Sequence, residues 1–266
     1  MENLYFDLTR ELNAEGSIAV LASGQAVVFY RLAIMSKDGD WILRETVAAC
    51  RRVLDVLGRR GARYRPGAPL DVRWLAQGWS SHFELFDDRG RRIRCDFVTR
   101  PPRISPAELR DAFAAAAPVL VIPIEPLIRM KQTQRAKDYP VIGELARLLP
   151  PDREVELTTD PDRVLSLAPV HGKASKRRAV QAAREGRSRD DVVVELAREA
   201  DRMQAVDRAR LERYRAAAEP YLRELHSSEI DSLDLPEAHR RAVEIAQRTL
   251  PLGPIVEEDG EYGTAQ

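Results

Sequence analysis

The sequence has little cysteine, little histidine and no long apolar run. Its two cysteines, Cys50 and Cys95, form no Cys-x-x-Cys pair and lie near no histidine at zinc-ligand spacing. We therefore expect no disulfide framework, and two thiols in a reducing compartment. Charged residues interrupt every apolar stretch before the roughly 18 residues that a membrane span requires. The N-terminal residues also lack the basic-then-apolar order of a signal peptide, so we expect a cytoplasmic protein with no membrane partner.

Several common signatures of nucleotide and metal sites are absent from the sequence. Gly172-Lys173 lacks the upstream glycine of a P-loop, and no Gly-x-Gly-x-x-Gly stretch follows a predicted strand. The four histidines are scattered and form no His-Glu-x-x-His motif. His82 follows Ser80 and Ser81 in a predicted strand, where the simplest interpretation of a single histidine is structural.

Charge is balanced over the whole chain, with 42 basic and 42 acidic residues. Net charge therefore argues neither for nor against a nucleic-acid partner, and only local clustering could do so. The densest basic cluster is residues 173–178. It predicts phosphate contacts if the partner is a nucleic acid, and a solvated helix face otherwise.

The pattern of apolar residues predicts an α+β fold with a mixed sheet in the first part of the chain. Strands are expected at 18–22, 40–43, 81–86, 91–99 and 119–124. Helices are expected at 4–12, 25–31, 45–60, 126–133 and 137–149. Pro150-Pro151 marks a predicted boundary between a first domain, 1–149, and a mainly α-helical region, 150–256. The acidic, glycine-containing tail, 257–266, is predicted to be disordered.

Two aspartates stand close together in Ser36-Lys37-Asp38-Gly39-Asp40-Trp41. On an extended segment, residues i and i+2 point to the same side, so the two carboxylates repel each other unless a positive charge lies between them. A divalent metal such as Mg²⁺, which prefers carboxylate oxygens, would supply that charge. The alternative is a solvated loop with two surface acids.

Two further features accompany the aspartate pair. Ser23-Gly24 ends one predicted strand and begins a short helix, a turn whose exposed N–H groups favour phosphate. Asp96 interrupts the apolar alternation of a later strand, where it could pair with Arg94 or Arg100 or add a third carboxylate to a metal site.

The order of these features resembles the polymerase-beta-like nucleotidyltransferase superfamily. That family has a strand, a glycine-rich turn, a short helix, a strand with Asp-x-Asp and a distal aspartate. The resemblance implies a nucleotidyltransferase-like first domain, Mg²⁺ or Mn²⁺ held by Asp38, Asp40 and Asp96, and a nucleoside triphosphate as substrate. It implies that Ser23, Gly24 and Lys37 contact the nucleotide. The turn departs from the family's Gly-Gly or Gly-Ser.

Residues 127–138 extend the resemblance to bacterial toxin-type and abortive-infection-type members, so that it covers about residues 5–149. By this similarity Lys131 contacts the nucleotide phosphates and Asp138 is an active-site acid, with Arg135 and Lys137 as further nucleotide ligands. The offsets i, i+4 and i+7 predict that Lys131, Arg135 and Asp138 share one helix face. The alternative is a salt-bridged exposed helix.

The leading hypothesis is therefore an enzyme that moves a nucleotide monophosphate from a triphosphate to an RNA, such as a transfer RNA, or to a protein hydroxyl. The resemblance implies that it acts as the toxin of a toxin-antitoxin pair, with an antitoxin as partner. Two alternatives are transfer to a small molecule of aminoglycoside type, and a non-catalytic binding scaffold with the same fold.

Overall fold

The computed structural model describes residues 3–252, and the contacts within it divide the chain into two units. The first unit comprises residues 3–122 and 212–252, and the second comprises residues 123–211. The predicted boundary after residue 149 falls inside the second unit. The predicted disordered tail, 257–266, lies outside the described residues.

The first unit contains a five-stranded sheet and helices around it. The strands are β1 (Ala19–Ala22), β2 (Asp38–Leu43), β3 (Arg63–Arg65), β4 (Ser81–Phe86) and β5 (Arg92–Val98). The helices are α1 (Leu4–Leu12), α2 (Ser23–Phe29), α3 (Val47–Arg59), α4 (Val72–Leu75) and α5 (Pro106–Ala114), with α12 (Leu235–Thr249) near the end of the described chain.

The sheet has the strand order β1-β2-β5-β4-β3, in which β2 and β5 are parallel and the other neighbours are antiparallel. The predicted α+β class, with a mixed sheet and a helical region towards the C-terminus, is confirmed. The predicted strand at 119–124 is wrong in extent. Val121 forms only an isolated parallel bridge with Leu21, because Pro118 and Pro123 flank the run and cannot donate to a ladder.

One face of the sheet is buried by the helices, and the other is half-exposed. The alternation in β2 and β5 sends Trp41, Cys95 and Phe97 into the core, where each is fully buried. The rings of Trp41 and Phe97 stack with centroids 5.3 Å apart. The Trp41 indole N–H donates to the hydroxyl of Thr9 on α1 at 2.9 Å, which fixes that helix against the sheet.

Side-chain caps determine where several of these helices begin. The side chains of Asn3 and Thr46 accept hydrogen bonds from the first turns of α1 and α3. Ser105 and Glu108 form a reciprocal capping box at the start of α5, and Asp234 caps α12. These short polar residues satisfy N–H groups that have no partner inside the helix.

The second unit is built from helices α6 (Ile124–Lys131), α7 (Tyr139–Ala146), α8 (Pro151–Leu157), α9 (Pro161–His171) and α10 (Arg178–Arg184). Helix α11 (Arg189–Ser227) begins in this unit. Val155, Val164 and Val180 centre a small apolar core. Among the helices of residues 3–252, none is both long and apolar enough to cross a bilayer.

Candidate functional site

A row of polar side chains crosses the half-exposed face of the sheet. The strand registers set Asp40 beside Asp96, Asp96 beside His82, and His82 beside Arg65. Asp38 lies in the next row of the same face, beside Arg94. Two of the three predicted acids, Asp40 and Asp96, are therefore direct neighbours across the one parallel strand pair of the described sheet. Asp38 is two residues away on the same strand.

Basic side chains surround the carboxylate of Asp96. Its Oδ1 lies 2.7 Å from His82 Nδ1 and 3.4 Å from Arg65 Nη1. Like charges on neighbouring strands are unfavourable, and the positive charge of Arg65 and the hydrogen bond from His82 offset the repulsion between Asp96 and Asp40. The alternative prediction for Asp96 was a salt bridge with Arg94 or Arg100. The structure instead pairs Arg94 with Asp38 and Arg100 with Glu45.

Asp38 carries an oxygen that suits a metal ion. Its Oδ1 is buried and accepts no hydrogen bond from any described residue, although Arg94 Nη1 lies 3.5 Å away at an ion-pair distance. A buried carboxylate oxygen without a donor is costly, and a cation would remove that cost. Within residues 3–252, however, no three acidic, histidine or cysteine side chains converge as a ready metal cage. The carboxylate donors fit Mg²⁺ by their chemistry. In this structure the side chain of Asp38 pairs with Arg94, and that of Asp96 pairs with Arg65 and His82.

The Ser23-Gly24 turn follows β1 directly, and Ala22, the last residue of β1, pairs with Asp40. Ser23 has a positive φ of 48°. A Cβ on Gly24 would lie 2.2 Å from Ser36 Oγ and 3.0 Å from Ser36 Cβ, so the loop before β2 packs closely against this turn and a larger residue would force Ser36 to move. Gln25 is buried and donates to the carbonyl of Ser36 at 2.9 Å, which ties α2 to the same loop.

Helix α1 holds the start of β2 from the buried side of the sheet. The Tyr5 hydroxyl donates to the carbonyl of Lys37 at 2.7 Å, while Lys37 itself is an exposed residue. Burial raises the pKa of Tyr5, and the negative charges of Asp38 and Asp40 raise it further, so the phenol stays protonated as a donor. Tyr5 thus fixes the backbone immediately before the two aspartates.

The other predicted site residues lie in the second unit. Lys131 is the last residue of α6, and Asp138 ends a short 3₁₀ turn, Ala136–Asp138. The prediction of a single helix face is wrong, because Gln132 leaves the helical conformation with ψ 65° and the chain turns. That turn still brings Lys131 Nζ to 3.7 Å and Arg135 Nε to 2.9 Å from the Asp138 carboxylate. Lys137 is exposed.

The Lys131–Asp138 pair is buried: Lys131 is 6% exposed and Asp138 is 7% exposed. Burial alone would raise the pKa of Asp138, but hydrogen bonds from Arg135 and the charge of Lys131 outweigh it and lower that pKa. Asp138 is therefore ionised at neutral pH. The alternative of an exposed salt-bridged helix is wrong, because Lys131 and Asp138 are both buried.

The basic cluster at 173–178 divides into an inward and an outward part. Arg177 points inward and binds Glu199 together with the carbonyls of Val155 and Thr158. Arg178 points outward and lines a cavity of about 340 Å³ between α10 and α11. The other arginines of that cavity are Arg187, Arg198 and Arg202. Glu185 and Glu195 line the same cavity, and Arg187 and Arg198 pair with Asp191 and Glu195. Within the described chain, Arg178 and Arg202 have no ion-pair partner, so these two guanidinium groups are the ones that could bind an anion there.

His82 and Arg65 of the polar row are not among the predicted site residues, and the prediction for His82 was a structural role. The spacing of Ser80 and His82 on one strand face was visible in the sequence. Their position opposite Asp96 depends on a strand register that no local pattern shows.

No protein-family model and no curated protein matches this chain. Two solved structures from Helicobacter pylori resemble it. JHP933 is 14% identical in sequence to this chain. The match covers 81% of this chain and 98% of JHP933, with a TM-score of 0.39. A candidate nucleotidyltransferase is 13% identical in sequence to this chain. The match covers 76% of this chain and 92% of that protein, also with a TM-score of 0.39. The function proposed below therefore rests on the side chains of this chain.

Proposed function

We propose that this protein is a metal-dependent nucleotidyltransferase whose reaction centre lies on the half-exposed face of the sheet. The observation that supports this most is the placement of Asp38 and Asp40 on one face of β2, with Asp96 directly beside Asp40 on the parallel strand β5. The Ser23-Gly24 turn follows the strand whose last residue, Ala22, pairs with Asp40, so the backbone of this turn lies beside the acids and supports the predicted phosphate contact.

Asp38 and Asp40 would hold Mg²⁺, or Mn²⁺ in its place, through carboxylate oxygens. A bound ion would neutralise the triphosphate oxygens and orient the α-phosphorus for in-line displacement. An acceptor hydroxyl attacks that phosphorus, the bond between the α- and β-phosphates breaks, and pyrophosphate leaves. The catalytic contribution of the protein is then mainly positioning and charge neutralisation.

Several finer assignments stay predictions. Asp96 as a third metal ligand is one, and Lys37 beside the bound nucleotide is another. In the second unit, phosphate contacts by Lys131, Arg135 and Lys137 and a catalytic role for Asp138 are also predictions. Replacing Lys131 by methionine should weaken nucleotide binding if its predicted role is correct, and should leave it unchanged if Lys131 only stabilises Asp138.

We favour RNA over a small molecule as acceptor because the arginine-lined cavity offers anion-binding groups. Arg178 and Arg202 are available there to phosphate oxygens, and guanidinium groups bind phosphate in a bidentate manner. A protein hydroxyl remains the second acceptor class. The toxic role and the antitoxin partner that the resemblance implies stay predictions.

The test is incubation with each α-labelled nucleoside triphosphate, Mg²⁺, total RNA and total protein. Wild type is compared with an Asp38→Asn, Asp40→Asn double variant. Asp88→Asn, an exposed aspartate in the β4–β5 turn, is the matched control for charge removal. We expect label transfer by wild type and by the control, and none by the double variant. Equal melting temperatures would show that the double variant remains folded.

Transfer that persists in the double variant would refute the assignment of the acids. Neither transfer nor Mg²⁺-dependent triphosphate binding by wild type would refute the enzyme and support the scaffold. Calorimetric titration with Mn²⁺ separates the ligand assignments, since loss of binding in Asp96→Asn would add Asp96 to the metal site.

A further inference from the structure

Phe86 is an exposed aromatic residue on the half-exposed face of the sheet. It is the last residue of β4, and the alternation of His82, Glu84 and Phe86 keeps its side chain on the same face as the aspartates. Phe86 is 56% exposed, whereas Phe83 and Leu85, which alternate with it, are buried on the other face. The flat face of this ring is therefore available to a ligand.

Arginine side chains border the Phe86 ring. Arg92 lies directly opposite Phe86 on β5, and Arg94 is the next residue of β5 on the same face. Arg63 lies on β3, separated from Arg94 only by Glu84 of β4. The side chains of Arg92 and Arg94 are 49% and 36% exposed, and Arg63 is an exposed residue. The Phe86 surface is defined here as Phe86, Arg63, Arg92 and Arg94.

The guanidinium groups of the Phe86 surface have donors to spare. Arg92 Nη1 lies 3.7 Å from Glu84 Oε2, and Arg94 Nη1 lies 3.5 Å from Asp38 Oδ1. A guanidinium group has five N–H donors, so one such contact leaves most of them for a ligand. Within residues 3–252, Arg63 has no ion-pair partner. An exposed ring among such groups is typical of sites that bind single-stranded nucleic acid, where bases stack on the ring and arginines bind phosphates.

The strand registers set the distance from the Phe86 surface to the proposed reaction centre. Along β5, Arg92 is opposite Phe86, Arg94 is beside Asp38, and the residue that pairs with Asp40 comes two positions later. Phe86 therefore lies towards Asp38 and not beyond Asp40. The backbones of Phe86 and Asp38 are two strand spacings and two residues apart, roughly 12 Å. A few nucleotides of an extended strand cover that length.

We propose that the Phe86 surface binds single-stranded RNA and holds it beside Asp38 and Asp40 as the nucleotidyl acceptor. This inference deepens the proposed nucleotidyltransferase function and rests on it for the role of the RNA. An unpaired base stacks on Phe86, and the arginines bind the neighbouring phosphates. Bases inside a duplex are stacked on each other and cannot reach the ring, so the surface selects single strands. A protein acceptor offers no row of phosphates to the arginines.

Fluorescence anisotropy of a labelled single-stranded RNA of mixed sequence tests the Phe86 surface separately from catalysis. The full chain is used, with EDTA and without triphosphate. We expect Phe86→Ala to bind the RNA about 10-fold more weakly, because a stacking partner is lost. Phe86→Tyr keeps a ring and should bind as wild type does. Phe29→Ala is the matched control, since Phe29 is also an exposed ring, 42% exposed, on α2.

The arginines are tested by the salt dependence of the same binding. Arg63→Gln and Arg92→Gln should each reduce the slope of log affinity against log salt concentration by about 0.7, the value for one phosphate contact with a single strand. Arg223→Gln, which removes an exposed arginine of α11, should leave affinity and slope unchanged. Equal melting temperatures would show that the variants remain folded.

Label transfer from an α-labelled triphosphate is measured on the same proteins. RNA binding that is equal in wild type and Phe86→Ala, or that Phe29→Ala weakens as much, would overturn this inference. Tighter binding of duplex RNA, or transfer to protein alone, would also overturn it. In each of these cases, transfer that requires Asp38 and Asp40 would still support the proposed function. RNA binding that depends on Phe86, with no transfer to any acceptor, would overturn the proposed function and still support RNA binding by this surface.

Discussion

Replacing Gly39 by alanine is expected to destabilise the protein by about 1–3 kcal/mol, the usual cost of adding a carbon to a packed core. Gly39 lies between Asp38 and Asp40 and faces the buried side of β2. A Cβ at this position would lie 2.4 Å from the Trp41 ring and 2.5 Å from Cδ1 of Tyr5. Trp41 is fully buried and cannot turn away, so β2 or α1 must shift.

The matched control is Gly58→Ala on α3. A Cβ there would lie 3.9 Å from the nearest atom, a methyl of Leu235, which is ordinary contact. Because alanine favours a helix over glycine, this variant should be unchanged or more stable by up to about 1 kcal/mol. The same chemical change thus has opposite signs at the two positions.

Urea unfolding followed by circular dichroism measures both variants. A lower midpoint with an unchanged slope is expected for Gly39→Ala, because a change of slope would indicate a different unfolded state. A Gly39→Ala protein as stable as wild type would refute the close packing of Tyr5 and Trp41 over this strand. A shift of β2 should also weaken Mg²⁺-dependent triphosphate binding, since both flanking aspartates move with it.

Three further predictions concern other buried polar groups. Thr9→Val should cost about 1–3 kcal/mol in unfolding free energy, because the buried indole N–H of Trp41 loses its acceptor. Arg163→Met should cost about 3–5 kcal/mol, since it leaves the carboxylate of Glu154, which is 2% exposed, without its two hydrogen bonds of 2.6 Å. Burial lowers the pKa of His239 below its ordinary value. As the pH falls, the unfolded state therefore binds a proton at this histidine before the folded state does. Stability should therefore fall from about pH 7 to about pH 5.5, and fall less in His239→Gln.

Each of these has a measurement that would contradict it. Thr9→Ser keeps the hydroxyl and should recover most of the loss, so an equal loss in both variants would point to packing instead. Arg223→Met breaks an exposed pair with Glu219 and should cost less than about 1 kcal/mol. An Arg163→Met protein with the same small cost would contradict the burial argument. An unchanged pH slope in His239→Gln would refute the assignment of that slope to His239.

The sequence by itself determined which side chains share a face of each strand. The alternation of Asp38, Gly39, Asp40 and Trp41 puts the acids on one side and the ring on the other, because side-chain direction along a strand is a local property with a period of two residues. The apolar spacing of α1 and α3 and the polar caps before them are local in the same sense. For this reason the α+β class and most of the elements around the acids could be predicted.

Only the tertiary structure decided which acids meet and what they bind. The register of β5 between β2 and β4 sets Asp96 beside both Asp40 and His82, and the three strands are distant in sequence. Their register follows from packing of the buried face, to which each strand contributes only part. Where the chain leaves a helix is decided in the same way. Lys131 and Asp138 meet through a turn after Gln132 and not along one helix face.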